Sequence, residues 1–287
     1  MNLTAPLVEQ AQAKINLTLR VIGRRADGYH ELESLVAFAT LADTLVLQPG
    51  AIEKLDVSGP YAASSGPIAD NLVLKAQTAL RRYVQGLKAG RFVLNKNIPV
   101  AAGLGGGSAD AAAALRLLAR LNELAPDDAR LMQAALEVGA DVPVCLATTA
   151  CIMRGTGESL SPPLELPSLA AVLVNPGVAL ATGDVFAKFT AQDGGMTLGE
   201  IPHQSDALLD FLAQHGNDLT LAAIANCAAI SDVLASLSKL PGVRLARMSG
   251  SGATCFALFA SADAAASAAK AVASAHKNWW VCSTMIN

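Results

Sequence analysis

The chain has 287 residues, enough for two domains of ordinary size. Apolar residues make up 52% and charged residues 16%, which excludes a disordered or scaffold chain. A net charge of −3 with no basic block argues against nucleic acid as a partner, and no apolar run reaches the length of a membrane span.

From residue 12 to 23 apolar and polar residues alternate strictly. This predicts a half-buried strand with Lys14 and Asn16 together on its polar face. Residues 24–31, RRADGYHE, read as a turn and exposed loop. Short strands are expected at 35–38 and 44–47, then irregular chain from 50 to 66. Residues 71–85 carry helical spacing, and 92–94 form a short strand.

The stretch that follows, PVAAGLGGGSADAAAA (residues 99–114), is the focus of the sequence. Clustered glycines let successive backbone N–H groups turn toward one point, and the helix behind them adds unpaired donors and the positive end of its dipole. That is the make-up of a phosphate site. It is not a P-loop, because Gly107-Ser108-Ala109 lacks the lysine. It is not the dinucleotide fingerprint either, because Ser108 stands where the third glycine belongs. The helix after the loop is apolar nearly all round, with Arg116 and Arg120 on one exposed side.

A helix at 127–138, a buried segment at 140–144 and a strand at 148–154 complete the first half. Prolines 162, 163 and 167 mark a composition break, giving expected domains at 1–160 and 161–287. Beyond it come a strand at 170–175 and a helical part from 182 that ends at Gly194-Gly195. Helices are expected at 205–214, 219–225 and 231–240. The tail reads strand (244–248), loop (249–252), strand (254–260), helix (263–276), strand (279–284), an order that suggests an antiparallel α+β layer.

Five dispersed cysteines without a C-x-x-C pattern read as reduced core thiols, and residues 1–14 lack the pattern of a secretory leader, so a cytoplasmic location is expected. His30-Glu31 has no second histidine at helix spacing, so no catalytic metal held by side chains is expected. Each candidate also has a plain reading. Lys14 could be a solvated strand lysine, Asp141 a helix N-cap, Tyr29 and His30 surface residues, and 249–252 a simple hairpin turn.

Taken in order, three motifs change that balance: AKINLTLRVIGRRADGYHELESL (13–35), PVAAGLGGGSADAA (99–112) and MSGSGATCFALF (248–259). With GADVP (139–143), DNL (70–72), NPG (175–177) and NDL (217–219), the chain resembles the GHMP kinase superfamily over nearly its full length. The resemblance implies an α+β fold of two domains, N-terminal ribosomal-protein-S5-like and C-terminal ferredoxin-like, with the active site between them. It implies ATP, with Mg2+ on its phosphates, bound by Pro99, Gly103, Leu104, Gly105, Gly106, Gly107, Ser108 and Ala109, with adenine near Asn71 and Lys96. Many members have two serines where this chain has Ser108-Ala109, which leaves Ser108 as the candidate for a phosphate or magnesium contact.

The catalytic pair implied is Asp141, to accept a proton from an alcohol, and Lys14, to keep it anionic. The branch resembled takes an acceptor carrying a cytidine diphosphate group, with Asn16, Tyr29, His30, Asp141, Thr182 and Phe186 as its contacts. Other readings stay open: a homoserine- or mevalonate-type kinase of the same superfamily, a nucleotide-binding protein without catalysis and, more distantly, a dinucleotide oxidoreductase. The oligomeric state is open between monomer and weak homodimer.

Overall fold

The computed structural model describes residues 5–190 and 197–287; the helix end expected at Gly194-Gly195 lies outside the described residues. Two compact units emerge. Unit 1 comprises Met1–Lys14, Leu41–Val100 and Gly105–Thr148, and unit 2 comprises Ile15–Thr40, Ala101–Leu104 and Thr149–Asn287.

Two long strands contribute to both units, β1 (Leu7–Asn16) and β3 (His30–Pro49). In unit 1 the second half of β3 pairs antiparallel with β5 (Gly90–Asn95), from Thr44↔Asn95 to Pro49↔Gly90. β4 (Lys54–Ser58) runs parallel on the far side of β5. Four helices complete the unit: α1 (Leu72–Tyr83), α2 (Gly106–Leu121), α3 (Ala129–Val138) and α4 (Val142–Ala147). α2 is buried nearly all round, as its alanine and leucine run predicts. Arg116 is not on an open face, however. Its guanidinium donates to Glu9, to the Cys145 carbonyl at 2.8 Å and to Thr148 at 2.9 Å, tying α2 to β1 and to the end of α4.

In unit 2 the first half of β3 lies between β2 (Arg20–Arg24) and β6 (Cys151–Gly155), with β7 (Ser159–Leu160) beyond β6. The rest is an antiparallel layer centred on β8 (Leu169–Asn175), every residue of which is buried. β10 (Cys255–Phe259) and β11 (Trp280–Ile286) flank β8, and β9 (Val243–Met248) pairs with β10. Helices α5 (Thr182–Lys188), α6 (Ser205–Gln214), α7 (Thr220–Asn226), α8 (Ala229–Ser238) and α9 (Ala262–Ala275) belong to the same unit. Its core joins Val172, Val174, Ile230, Val233, Val272 and Phe259. The strand-strand-helix-strand tail is as expected.

Several expectations change. The single strand at 12–23 is two strands, broken at 17–19, where the backbone finds other partners. Leu35 accepts from the N–H groups of Leu17 and Thr18, the Leu17 carbonyl takes Arg247, and Leu19 bridges to the segment around Asn217. The face bearing Lys14, Asn16 and Thr18 is buried, not solvated. The strands at 35–38 and 44–47 are one, because nothing between them breaks extended chain. The region at 50–66 contains β4, and the segment at 140–144 leads into a helix.

Candidate active site

Within unit 1, β1 ends on Lys14, whose ammonium lies 2.7 Å from the Asp141 carboxylate. The lysine side chain is 5% exposed and the aspartate 36%, so a sealed cation holds a carboxylate that still meets solvent. Asp141 stands at the N-cap position of α4, yet its side chain makes no capping bond. The plain reading of Asp141 therefore fails, and the carboxylate points to Lys14 instead. A carboxylate held beside a fixed ammonium yet open to solvent is placed to take a proton from an alcohol brought against it.

The glycine loop meets this pair. Gly105 is the N-cap of α2 with φ +63°, a left-handed conformation that side chains disfavour, and a Cβ there would sit 3.2 Å from Lys14 Cβ. Gly105 accepts the first intrahelical bond from Ala109, so the N–H groups of Gly106, Gly107 and Ser108 precede the helical ladder, as the unpaired donors of a helix N-terminus do. A Cβ on Gly107 would touch Leu72, which brings the start of α1 beside the loop. Asn71, the expected adenine contact, uses its Oδ1 to cap α1 through Val73 N–H at 3.0 Å.

Lys96 proves to be a buried ion-cluster residue. Its ammonium donates to Asp43 and, at 2.7 Å, to Asp110, and all three side chains are buried. Burial opposes its charge, but Asp110 and Asp43 outweigh that and hold Lys96 above the usual lysine range. Burial pushes Asp110 up to about 8, against the pull of Lys96 and with Asp43 adding to the rise. The sequence reading did not single out Asp43 or Asp110. The signal was there, since Asp110 is a lone acid in an alanine run and Asp43 a lone acid within a strand-like stretch.

Unit 2 holds the remaining candidates. Asn16 is 1% exposed, its N–H donates to Ser249 Oγ at 3.1 Å and its Nδ2 to Ser34 Oγ at 2.7 Å. Ser249 Oγ in turn donates to the Gly103 carbonyl at 3.1 Å, and Asn217 Nδ2 donates to the carbonyls of Met248 and Gly250. The 249–252 segment is thus a buried brace for Gly103, not a plain hairpin turn. A Cβ on Gly103 would stand 2.6 Å from two carbonyl oxygens of that segment. Pro99 and Leu104 frame the loop, with Leu104 fully buried. Thr182 shares a 3.0 Å hydrogen bond with Ser251.

His30 stacks on Phe186, with ring centroids 4.9 Å apart at 24°, and meets Phe189 edge-on. Burial, aided by Arg24, lowers the His30 pKa and favours a neutral ring. Tyr29 is 65% exposed, with its N–H on Asp27. Of the three aromatic residues expected to contact the acceptor, His30 and Phe186 thus pack together while Tyr29 stands open. No cluster able to hold a metal by three or more acidic, histidine or cysteine side chains occurs among the described residues.

A glycine turn opening a helix, with an ammonium-held carboxylate beside it, suits phosphoryl transfer to an alcohol. The comparisons agree. Residues 71–155 match the GHMP kinases N terminal domain and residues 200–278 the GHMP kinases C terminal domain. The chain belongs to the GHMP kinase family. It is 54% identical over 286 residues to a Rhodopseudomonas palustris protein named 4-diphosphocytidyl-2-C-methyl-D-erythritol kinase, covering 96% of this chain and 97% of that one. It is 51% identical to the Bradyrhizobium diazoefficiens protein of the same name, covering 96% of each. A crystal structure of 4-(cytidine 5'-diphospho)-2C-methyl-D-erythritol kinase superposes with a TM-score of 0.79 at 34% identity, over 98% of this chain and 99% of that one. Homoserine kinase from Cytophaga hutchinsonii, at 19% identity and a TM-score of 0.74 over 97% and 94% of the two chains, shares the fold.

Proposed function

We propose that this chain transfers the γ-phosphoryl group of ATP to the 2-hydroxyl of 4-diphosphocytidyl-2-C-methyl-D-erythritol, a step of the non-mevalonate route to isoprenoid precursors. The observation that carries this reading is the 2.7 Å Lys14–Asp141 pair, with the aspartate freed from its capping role. The names of the relatives at 54% and 34% identity supply the acceptor.

The acceptor hydroxyl attacks the γ-phosphorus, and the bond from that phosphorus to the β–γ bridging oxygen breaks, leaving with ADP. The hydroxyl proton passes to the Asp141 carboxylate as the new bond forms. Lys14 offsets the negative charge that builds on the transferring group. The N–H groups of Gly106, Gly107 and Ser108 hold the phosphates, and side chains at 105 and 106 would crowd Lys14, Ile98 and Lys96 beneath them. Magnesium carried on the ATP phosphates supplies further charge neutralisation, with Ser108 the candidate hydroxyl toward it.

Adenine is assigned to the neighbourhood of Asn71 and the main chain at Lys96, whose ammonium is engaged elsewhere. The cytosine is assigned to Tyr29, His30 and Phe186 of unit 2, where Asn16 and Thr182 are further candidate acceptor contacts; in unit 1 Asp141 is the candidate proton acceptor. A domain division at 1–160 and 161–287 agrees with family matches that end at 155 and begin again at 200, whereas the compact units interleave, with residues 15–40 and 101–104 grouped with 149–287. A cytoplasmic setting is supported by five free thiols, of which burial pushes Cys145 up to about 12 and Cys151 up to about 11. No helix among the described residues is long and apolar enough to cross a membrane.

The test is acceptor-dependent ADP release, with homoserine and mevalonate as rival acceptors. Release with the cytidine-linked acceptor alone is expected. Release only with a rival would reassign the substrate, and ATP binding without release for any acceptor would reduce the chain to a binding module.

A further inference from the structure

We infer that Asp43 is a positioning residue for the phosphate loop: it fixes the segment on which Gly106 rests, and through Gly106 the direction of the anion-binding N–H groups. This rests on the ATP reading above. Asp43 lies on β3 within unit 1 and is fully buried. Its single carboxylate holds three donors. One oxygen takes the Lys96 ammonium, and the other takes the N–H groups of Asn97 and Ile98. Three successive residues at the exit of β5 are therefore fixed by one side chain.

Two of those residues form the floor of the loop. The place a Cβ would occupy on Gly106 is 3.1 Å from Ile98 Cγ2 and 3.1 Å from Lys96 Nζ. Gly106 lies directly against both, and a side chain there would require each to give by a few tenths of an ångström. A second partner of the Lys96 ammonium is Asp110, in the first turns of α2 itself, so the cluster ties both sides of the glycine turn to β3. A charge-assisted set of this kind resists displacement better than apolar packing, because moving any member leaves a buried charge short of a partner. Anion donors need to be held to fractions of an ångström, and small misplacements cost large factors.

The experiment measures affinity for a non-hydrolysable ATP analogue, together with kcat and the acceptor KM. The variants are Asp43→Asn, which keeps shape and loses charge, and Asp43→Glu, which keeps charge and displaces the segment by one methylene. Val272→Ala, in the core of unit 2, reports what general loss of stability does. ATP affinity is expected to fall about tenfold in the Asp43 variants, with the acceptor KM within about twofold and Val272→Ala leaving ATP affinity unchanged. Unchanged ATP affinity in the folded Asp43 variants would overturn the inference, as would an equal loss in Val272→Ala. If the unmodified chain itself fails to bind the analogue, it is the kinase reading that falls.

Discussion

Replacing Asp141 with asparagine isolates the proton acceptor. The amide keeps the shape, can still accept from the Lys14 ammonium now 2.7 Å away, and suits the start of α4 as well as the acid does. What disappears is the capacity to take a proton. A positioned base contributes about 10²–10⁴-fold, or roughly 3–5 kcal/mol of barrier at about 1.4 kcal/mol per tenfold. The stability cost is much smaller. Breaking a fully buried pair costs about 3–5 kcal/mol, and a surface pair about 0–1. With Lys14 sealed but Asp141 36% exposed and an acceptor atom retained, a loss of about 1 kcal/mol is expected, a few degrees in Tm for a chain of this size. Steady-state ADP release gives kcat, calorimetry gives ATP affinity and a thermal melt gives Tm. A kcat within about threefold of the unmodified chain, with affinity and Tm intact, would refute the assignment of Asp141 as base.

Three further expectations follow. Gly105→Val places a β-branched residue at φ +63° with its Cβ against Lys14, so ATP affinity should be lost while circular dichroism stays native; unchanged affinity by calorimetry would make the loop structural only. Burial raises Asp110 to about 8 in the folded chain, so between about pH 4 and pH 8 the native state keeps a proton the unfolded chain has released, and stability declines as pH rises through that window. Asp110→Asn should flatten that decline in denaturant titrations at pH 6 and pH 9, and an unaltered slope would place the dependence elsewhere. Tyr29→Ala should lower kcat/KM for the cytidine-linked acceptor by about ten- to a hundred-fold with ATP affinity unchanged; equal losses for both substrates would indicate misfolding instead.

The parts of the site that are local in sequence were legible in it. Gly103 to Ser108 announce an anion site because glycine density and a following helix are adjacent along the chain. The antiparallel tail was legible for the same reason, each element having its own period and its own turn. What escaped depends on partners far away. Alternation alone left Lys14 open to a solvated reading, because its partner Asp141 lies 127 positions on and a period of two cannot reveal that a polar face is covered; the pairing came only from the resemblance. The break at Leu17 to Leu19 was hidden because the bonds replacing strand pairing come from Leu35, Arg247 and the chain near Asn217. β4 was missed because Leu55 and Val57 alternate with Lys54, Asp56 and Ser58 over only five residues, too short a signal between Gly50 and Gly59.

Asp141 and Asp43 each meet a lysine ammonium, and spacing along the chain could not rank them. Their difference is one of burial and valence. Asp43 is sealed and spends both oxygens on three donors of the chain itself, so neither is available to a substrate, and its charge is committed to holding backbone in place. Asp141 has the ammonium on one oxygen and solvent access beside it. A general base must be reachable and must keep a lone pair for the incoming proton. On that criterion Asp141 qualifies and Asp43 does not, although both would score as charged residues near a glycine loop. The same criterion separates the lysines. Lys96 is shared by Asp43 and Asp110, both buried beneath the loop, whereas Lys14 pairs beside Gly105 with Asp141, which meets solvent. Lys14 is therefore the lysine whose acidic partner a substrate can reach, and Lys96 the one committed to the floor of the loop.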